Sequence, residues 1–471
     1  MAMDSEQTVV QPAPKGGDIP AATAEPRQLL SVPDGVFLMV GMIIGVGIFK
    51  APSIVAGNTS SGTEFLLMWL AGGAVSLCGA LVYSELAARH AGTGGEYSFL
   101  SLGMGRGVAF LFAWSRMTVI QTGAIAAVAF VFGDYASQLL PLGPASSAIY
   151  AAIAVVALTG LNLAGTLPTK NLQRLAETLL IASLLVLSVA GMVSGGAPAS
   201  APAPSGSGGA IGLAMIFVLL TYGGWNEAAY LGGEVRDAKR NMARILVIGI
   251  VAVTVIYLLV NIGYLMALGL DGMRTSKAVA ADVMRLVAGE KGAAVVALIV
   301  CVSALTTLNA ATFTGARTTW ACGRDFPLFG GLGAWRESGS TPANALLLQG
   351  AISLVLVCAS AFTPDGFSAM VAYTSPVFWT FFLLTGLTLF RFRIREKLGE
   401  ADPVQVRVPL YPVVPLLFIG SCVFMLWSSI DYVRNPVYGP KFGAMVLAGL
   451  VIMGVGILLY LWKGRGATPA R

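Results

Sequence analysis

The sequence has very few of the side chains on which enzymes and metal sites depend. It contains one histidine, His90, in 471 residues, and it has no HExxH motif, no CxxC motif and no carboxylate-rich cluster. Metal sites need several His, Cys, Asp or Glu side chains at set spacings. We therefore predict that the protein holds no metal and no cofactor. A membrane enzyme would need a nucleophile–base pair or metal ligands, and the scarcity argues against one.

Charge and cysteine are scarce as well. Only 11% of the residues are charged while 56% are hydrophobic, and the mean hydropathy is +0.78. A soluble domain carries about 25% charged residues, so the composition predicts a polytopic membrane protein. The net charge of +6 then reflects membrane topology and indicates no nucleic-acid partner. The five cysteines fall in or beside apolar segments and indicate no disulfide framework.

Twelve apolar runs of membrane-spanning length follow a polar amino-terminal segment. That segment, 1–32, has no apolar stretch after its start, which predicts a disordered cytoplasmic tail and no cleaved signal peptide. Of the 29 Lys and Arg residues, 21 fall on one set of connecting segments and six on the other, which is typical of cytoplasmic termini in a cell (inner) membrane. The predicted spans are 36–57, 64–88, 106–133, 147–165, 174–194, 210–231, 244–269, 292–316, 343–362, 367–390, 410–430 and 442–462.

Two of these runs are interrupted near their centres. The first span contains Gly45-Val46-Gly47, and the sixth contains Tyr222-Gly223-Gly224-Trp225-Asn226. Unpaired backbone at membrane depth is tolerated where it lines a cavity or meets a ligand. Paired interruptions in two halves of a chain indicate a transporter's binding site. Close helix packing at small residues remains an alternative explanation for the glycines.

The spacing of the two breaks predicts an internal repeat. A repeat of five crossings has an odd number of spans, so its second copy runs in the opposite sense. We therefore predict an all-α integral membrane protein with two inverted five-helix repeats, broken helices 1 and 6, and two additional C-terminal helices. The predicted divisions are the tail 1–32, the first repeat 33–194, an extracellular or periplasmic linker 195–209, the second repeat 210–390, a cytoplasmic loop with helices 11 and 12 at 391–462, and a cytoplasmic tail 463–471.

The backbone at the two breaks suits a molecule with both a carboxylate and an ammonium group. Free N–H groups after the first break can hold a carboxylate, and free carbonyls before each break can accept from an ammonium group. An α-amino acid has both groups. The substrate-binding residues predicted on this basis are Ile43, Ile44, Gly45, Val46, Gly47, Ile48, Thr221, Tyr222, Gly223 and Asn226.

Several motifs give the chain a family resemblance. The segments that carry it are Gly45-Val-Gly-Ile-Phe49, Tyr83-Ser-Glu-Leu86 with Gly94-Gly-Glu-Tyr97, Tyr222-Gly-Gly-Trp-Asn226, and Glu234-Val-Arg-Asp237 with Arg240-Asn241. Over residues 33–400 the chain resembles the amino acid–polyamine–organocation superfamily, and the Tyr-Gly-Gly-Trp-Asn run is similar to its L-type amino acid transporter branch. The resemblance implies an amino acid permease, antiporter or symporter, that works by alternating access. A transporter of an amine or polyamine, a transporter-like sensor and a channel remain alternatives.

Two positions depart from this resemblance. Many relatives have an aromatic gate in the sixth span where this chain has Leu220, although Phe217 lies one helical turn earlier. Many also have a lysine in the fifth span where this chain has Ser183. A sodium ion held by Ser183, Thr306 and Thr307 is one possibility for coupling, with proton coupling or exchange as the others. These hydroxyls can instead bond carbonyls of their own helices.

A partner subunit is the other property that the resemblance brings into question. L-type relatives in animals have such a partner, held by a disulfide from the loop between the third and fourth spans. That loop contains no cysteine in this chain. We therefore expect no disulfide-linked partner subunit.

Charged side chains at three positions within the predicted spans need an explanation. Arg116 and Glu227 fall near the middle of the third and sixth spans. Because an isolated charge there is costly, we predict that these two residues pair and act as a gate. Lys50 follows the first break, and we expect its side chain to extend outward to water.

Overall fold

The protein is described by a computed structural model that covers most of the chain. The described residues are 30–90, 95–165, 170–194, 210–228, 235–336, 341–400, 404, 406–434 and 440–463. The predicted linker 195–209 lies outside these ranges. So do the two predicted tails, except for residues 30–32 and Lys463.

The described residues are mainly helical, as the sequence predicts. Ten of the helices are long and apolar enough to cross a membrane, and two shorter apolar ones, α1 and α9, belong to the broken spans. The prediction of an all-α membrane fold is confirmed. The helices are α1 Val32–Ile43, α2 Ala51–Gly57, α3 Gly62–Arg89, α4 Gly95–Met104, α5 Arg106–Ser115, α6 Gln121–Leu139, α7 Ser146–Ala164, α8 Lys170–Val193, α9 Ile211–Thr221, α10 Trp225–Ala228, α11 Ala238–Thr275, α12 Val279–Asp325, α13 Ala343–Ser360, α14 Gly366–Lys397, α15 Val413–Arg434 and α16 Pro440–Lys463.

Local chemistry explains how these helices begin and bend. Ser31 caps α1 by accepting from the N–H of Asp34, whose carboxylate in turn accepts from the N–H of Ser31. α11 and α12 each contain one glycine with a positive φ, Gly269 and Gly289, which divides a short segment from the long one. A π-helical turn at Arg116–Ile120 joins α5 to α6 within the third span. Such turns occur frequently at functional sites.

The broken spans lie at the centre of the bundle. α1 packs on α11, and α2 packs on both α9 and α11. Isoleucines and valines on the outer side of the bundle are exposed, for example Val186 and Val189 of α8, as expected for a surface covered by lipid. We call the end of the bundle at which α1 begins and α4 lies the amino-terminal face. The end at which α2 finishes is the opposite face.

Candidate substrate-binding site

The first break opens the backbone between α1 and α2. Ile44 and Gly45 leave the helical conformation, with φ/ψ of −72°/92° and −114°/−170°, and a 3₁₀ turn follows at Val46–Phe49. The N–H groups that start such a turn have no carbonyl within it to bind. A Cβ added to Gly45 would meet no described atom within 4 Å, so this residue faces open space.

The second break touches the first. α9 ends at Thr221, and Gly224 then adopts a φ of +111° before α10 begins. A Cβ added to Gly224 would lie 2.3 Å from the carbonyl oxygen of Met42 in α1. A side chain is therefore excluded by both the conformation and the contact. Gly47 approaches from the other side, since its Cβ position is 3.3 Å from Oγ1 of Thr221.

Tyr257 of α11 joins the two breaks, and our sequence analysis missed it. Its hydroxyl oxygen lies 3.1 Å from the carbonyl oxygen of Ile43 and 3.0 Å from that of Thr221. One hydroxyl has only one proton to donate, so these two carbonyls keep capacity to accept from another group. A lone tyrosine in an apolar span gives no sequence signal for this role, since packing explains it equally well.

The other predicted substrate residues either lie along the first break or support the second break. Ile44, Val46 and Ile48 are buried along the first break. Thr221 donates to the carbonyl of Phe217, and the Tyr222 hydroxyl donates to the carbonyl of Trp69 at 3.0 Å. The Tyr222 side chain therefore supports the break from outside, and Gly223 forms the turn with its N–H bonded to the Leu220 carbonyl.

The two candidates for an aromatic gate occupy different environments. Phe217 is buried and its ring lies 6.0 Å from that of Phe367 in α14. Leu220 is 38% exposed and lines a cavity of 90 Å³ together with Phe378 and Trp379. Aromatic side chains are thus present beside Leu220, but they come from α14 instead of the broken span.

Comparison with known proteins assigns the chain to a family. The family model described as amino acid permease matches residues 30–457. The chain belongs to this family. It is therefore an amino acid permease, an integral membrane protein that crosses the membrane several times, and not an enzyme.

Sequence similarity to known transporters extends over nearly all of the permease. It is 29% identical to the b(0,+)-type amino acid transporter 1 of Mus musculus over 92% of this chain and 89% of the relative. It is 28% identical to the serine/threonine exchanger SteT of Bacillus subtilis, over 83% and 89% of the two chains. It is also 28% identical to the large neutral amino acids transporter small subunit 2 of Homo sapiens, over 89% and 78%.

The hydroxyls suggested for a sodium site are bonded within their own helices. Ser183 donates to the carbonyl of Leu180 at 2.7 Å, and Thr306 donates to that of Ser303 at 2.8 Å. Thr307 is half-buried beside Thr306. Each hydroxyl oxygen keeps a lone pair. Glu177 of α8, which was not predicted from the sequence, lies close to α1. A Cβ added to Gly41 of α1 would lie 3.0 Å from Oε2 of Glu177.

Lys50 does not extend outward to water, contrary to our expectation. Its side chain is 6% exposed, and its Nζ lies 2.7 Å from Oδ2 of Asp134 and 3.1 Å from Oδ1 of Asp365. Asp134 also accepts from the Ser147 hydroxyl, and Asp365 caps α14 by accepting from the N–H of Ser368. Two adjacent carboxylates attract the ammonium group more strongly than distant water does. We call Lys50, Asp134 and Asp365 the lysine cluster.

Arg116 and Glu227 lie together near the second break of the permease. Nη2 of Arg116 is 3.1 Å from Oε1 of Glu227, and Nη1 of Arg116 is 3.7 Å from Oε2 of Glu96 in α4. The pair of Arg116 and Glu227 was predicted from the sequence, whereas the contact with Glu96 was not. The motif Gly94-Gly-Glu-Tyr97 contains it, yet nothing in that motif shows which span the carboxylate faces.

Proposed function

We propose that the permease moves an α-amino acid by alternating access, with the substrate held between the breaks of its first and sixth spans. The observation that carries the proposal is the Tyr257 hydroxyl shared between the carbonyls of Ile43 and Thr221. It identifies the place where both broken helices present acceptors. A substrate ammonium group has three donors and fits such acceptors.

The substrate carboxylate is assigned to the other end of the first break. The backbone there faces open space at Gly45, and the 3₁₀ turn after it presents N–H groups. Phe217, Leu220 and Asn226 surround the second break and are proposed as the side-chain environment. The relatives, which are named as amino acid transporters or exchangers, support an amino acid over an amine or polyamine.

Uptake by proteoliposomes tests this proposal. Radiolabelled L-serine, L-threonine, L-leucine and L-arginine are offered singly, and each is then competed with its decarboxylated amine. We expect uptake of at least one amino acid and no competition by the amine, because the amine lacks the carboxylate that the first break binds. Inhibition by the amine equal to that by the amino acid would indicate an amine transporter. Binding without uptake would indicate a sensor.

Orientation and domain division are also proposed. We infer that the amino-terminal face is cytoplasmic, that the protein resides in the cell (inner) membrane, and that residues 33–194 and 210–390 form two inverted repeats flanking the linker 195–209. Phe362 and Leu398 are exposed on opposite faces. In a cysteine-free background, a membrane-impermeant maleimide applied to intact cells should label Phe362→Cys and leave Leu398→Cys unlabelled.

We further propose that no partner subunit is linked by a disulfide. The loop between the third and fourth spans contains no cysteine, which supports this proposal. Sodium coupling through Ser183, Thr306 and Thr307 stays a prediction, and equal uptake in sodium and choline buffers would contradict it.

A further inference from the structure

Glu96 is a buried carboxylate that contacts three separate parts of the permease. Its Oε1 accepts from the Tyr83 hydroxyl of α3 at 2.5 Å. Its Oε2 lies 3.7 Å from Arg116 in the π-helical turn, and the Asn226 side chain of α10 hydrogen-bonds to it. The contacts of Glu96 therefore depend on the position of α10, the short helix that follows the second break.

Two carboxylates in this network share one guanidinium group. Arg116 is closer to Glu227 than to Glu96, at 3.1 Å against 3.7 Å. The Glu227 side chain is 39% exposed whereas that of Glu96 is 5% exposed. Water can stabilise the charge on Glu227 but not that on Glu96. A buried carboxylate with an incomplete cationic partner tends to take up a proton.

Other charged groups near Glu96 are occupied elsewhere. Glu85, two residues after Tyr83 on α3, is paired with Arg89 and with Arg393 of α14. Among the described residues, Arg116 is the only cation with an ion-pair contact to Glu96. The further titratable groups of the surrounding elements include Tyr83 of α3, Glu227 of α10 and Cys422 of α15 beyond Tyr83. Tyr97, Cys322 and Asp325 line the 180 Å³ cavity that Arg116 also lines, and the charge of Arg106 acts on Tyr97.

α4 lies outside the ten membrane-length helices. Burial there raises the pKa of Glu96 to about 7, while the Arg116 charge and the hydrogen bond from Tyr83 act in the opposite direction. Because the pKa is raised, the carboxyl holds its proton below that pH and releases it above.

We propose that Glu96 binds the proton that drives uptake, and that Arg116 changes partner between Glu227 and Glu96 as the broken sixth span moves. The inference rests on the proposed alternating access. With α10 in the observed position, Glu227 takes the guanidinium and Glu96 holds a proton. When α10 moves away, Asn226 and Glu227 leave with it, and Arg116 pairs with Glu96.

The proton step is a simple transfer. Pairing with Arg116 stabilises the carboxylate, so the O–H bond of Glu96 breaks and the proton passes to water on the open side. In the observed state, the Asn226 amide oxygen can accept from the protonated carboxyl of Glu96. The Tyr83 hydroxyl keeps Glu96 in place in either state.

The test uses the full-length permease in proteoliposomes with radiolabelled L-serine, L-threonine, L-leucine and L-arginine. Wild-type protein should accumulate its amino acid when the outside is made acidic, and a pyranine signal inside should show proton entry with the substrate. Glu96→Gln should lose gradient-driven accumulation and proton entry but retain exchange of labelled for unlabelled amino acid. Glu64→Gln, which alters an exposed carboxylate at the start of α3, is the matched control.

The partner change has its own readout. Glu227→Gln removes the competing carboxylate, so Arg116 pairs with Glu96 in every state. This pairing stabilises the ionised form of Glu96, and the pH midpoint of uptake should therefore fall by ~1 unit. Uptake that is insensitive to the proton gradient in wild-type protein, or that follows only a sodium gradient, would overturn the inference while leaving the proposed function intact. The absence of any amino acid uptake would instead contradict the proposed function. Because pyranine is read on the wild-type protein, a poorly folding Glu96→Gln variant leaves the inference testable.

Discussion

A single buried ammonium group holds three elements of this permease together. Lys50 follows the first break, Asp134 comes from α6, and Asp365 begins α14. The cluster carries two negative charges and one positive charge, so the lysine is essential to its electrostatic balance. Asp365 has a second function as the cap of α14, and its side chain is 28% exposed. The three residues are therefore unequal in their contribution to stability.

We expect Lys50→Met to destabilise the protein much more than Asp365→Asn. Removing the lysine leaves Asp134 buried without a cation, which costs ~3–5 kcal/mol. Asparagine at 365 is still an efficient helix cap and leaves a one-to-one pair of Lys50 and Asp134. Thermal unfolding in detergent measures the difference, with Lys441→Met at an exposed site as the control. Equal unfolding temperatures for Lys50→Met and Lys441→Met would contradict the role given to the cluster.

The two glycines of the first break should respond differently to enlargement. Gly45→Val places its side chain in open space, so the protein should fold normally yet lose substrate binding, because that space is assigned to the carboxylate. Gly47→Val meets Thr221 and should in addition cost about 1–3 kcal/mol of stability through overpacking. Binding by scintillation proximity, read beside thermal unfolding, separates the two effects. Unchanged affinity in Gly45→Val would contradict the carboxylate assignment.

The glycines at the breaks could be predicted from the sequence, whereas residues that act through distant contacts could not. Gly45 and Gly223 interrupt apolar runs, and the physics of unpaired backbone in a membrane makes such interruptions informative. Tyr257 and Glu96 each contact a residue more than a hundred positions away, Ile43 and Asn226 respectively. Nothing local marks them, since a buried tyrosine packs well and a loop carboxylate is ordinarily solvated. The expectation for Lys50 was wrong for the same reason, because both of its partners come from other helices.

At the scale of helices, the π-helical turn at Arg116–Ile120 places a charged side chain where three elements meet. Its extra residue lets Arg116 reach both α4 and α10, the locations of Glu96 and Glu227. The apolar runs predicted the third span that contains this turn, since hydrophobicity over some twenty residues sets a membrane helix. They could not predict the turn itself or the short helices α4 and α10. Those depend on packing between elements.

We predict an asymmetric result when the Arg116 network is taken apart. At pH 8, above the pKa of about 7 of Glu96, Arg116→Met removes the cation from two ionised carboxylates and should cost ~3–5 kcal/mol of stability. Glu227→Gln should cost less than ~1 kcal/mol, because Glu227 is partly exposed and Arg116 retains Glu96. In a double-mutant cycle on thermal unfolding, adding Glu227→Gln should recover only part of the loss from Arg116→Met, since Glu96 stays unpaired. Complete recovery would show that Glu96 contributes nothing.

Across the whole molecule, ion pairs concentrate at both ends of the substrate path. The lysine cluster lies towards the opposite face, below a cavity of 440 Å³ that Arg274 and Lys277 also line. At the amino-terminal face, Glu85 is bonded by Arg89 and Arg393 and by the N–H of Val408. Each set joins elements that must separate for its face to open. Alternating access then requires that one set breaks while the other holds.

This arrangement predicts that weakening one set opens its own face. Ser53 lies in α2 one turn after Lys50, is 7% exposed, and lines the cavity of the opposite face. In a cysteine-free background, Ser53→Cys should react slowly with a water-soluble methanethiosulfonate. Adding Lys50→Met should speed the reaction several-fold, because the unpaired Asp134 draws water and the ion pair of Lys50 with Asp365 is lost. Asn58→Cys at the rim of the same cavity should react at the same rate in both backgrounds. Unfolding temperatures must first confirm that the double variant is folded. If Ser53→Cys then shows no acceleration, the lysine cluster stabilises the fold without gating it. The opposite face must in that case be closed by the contacts around Phe49 and Tyr135.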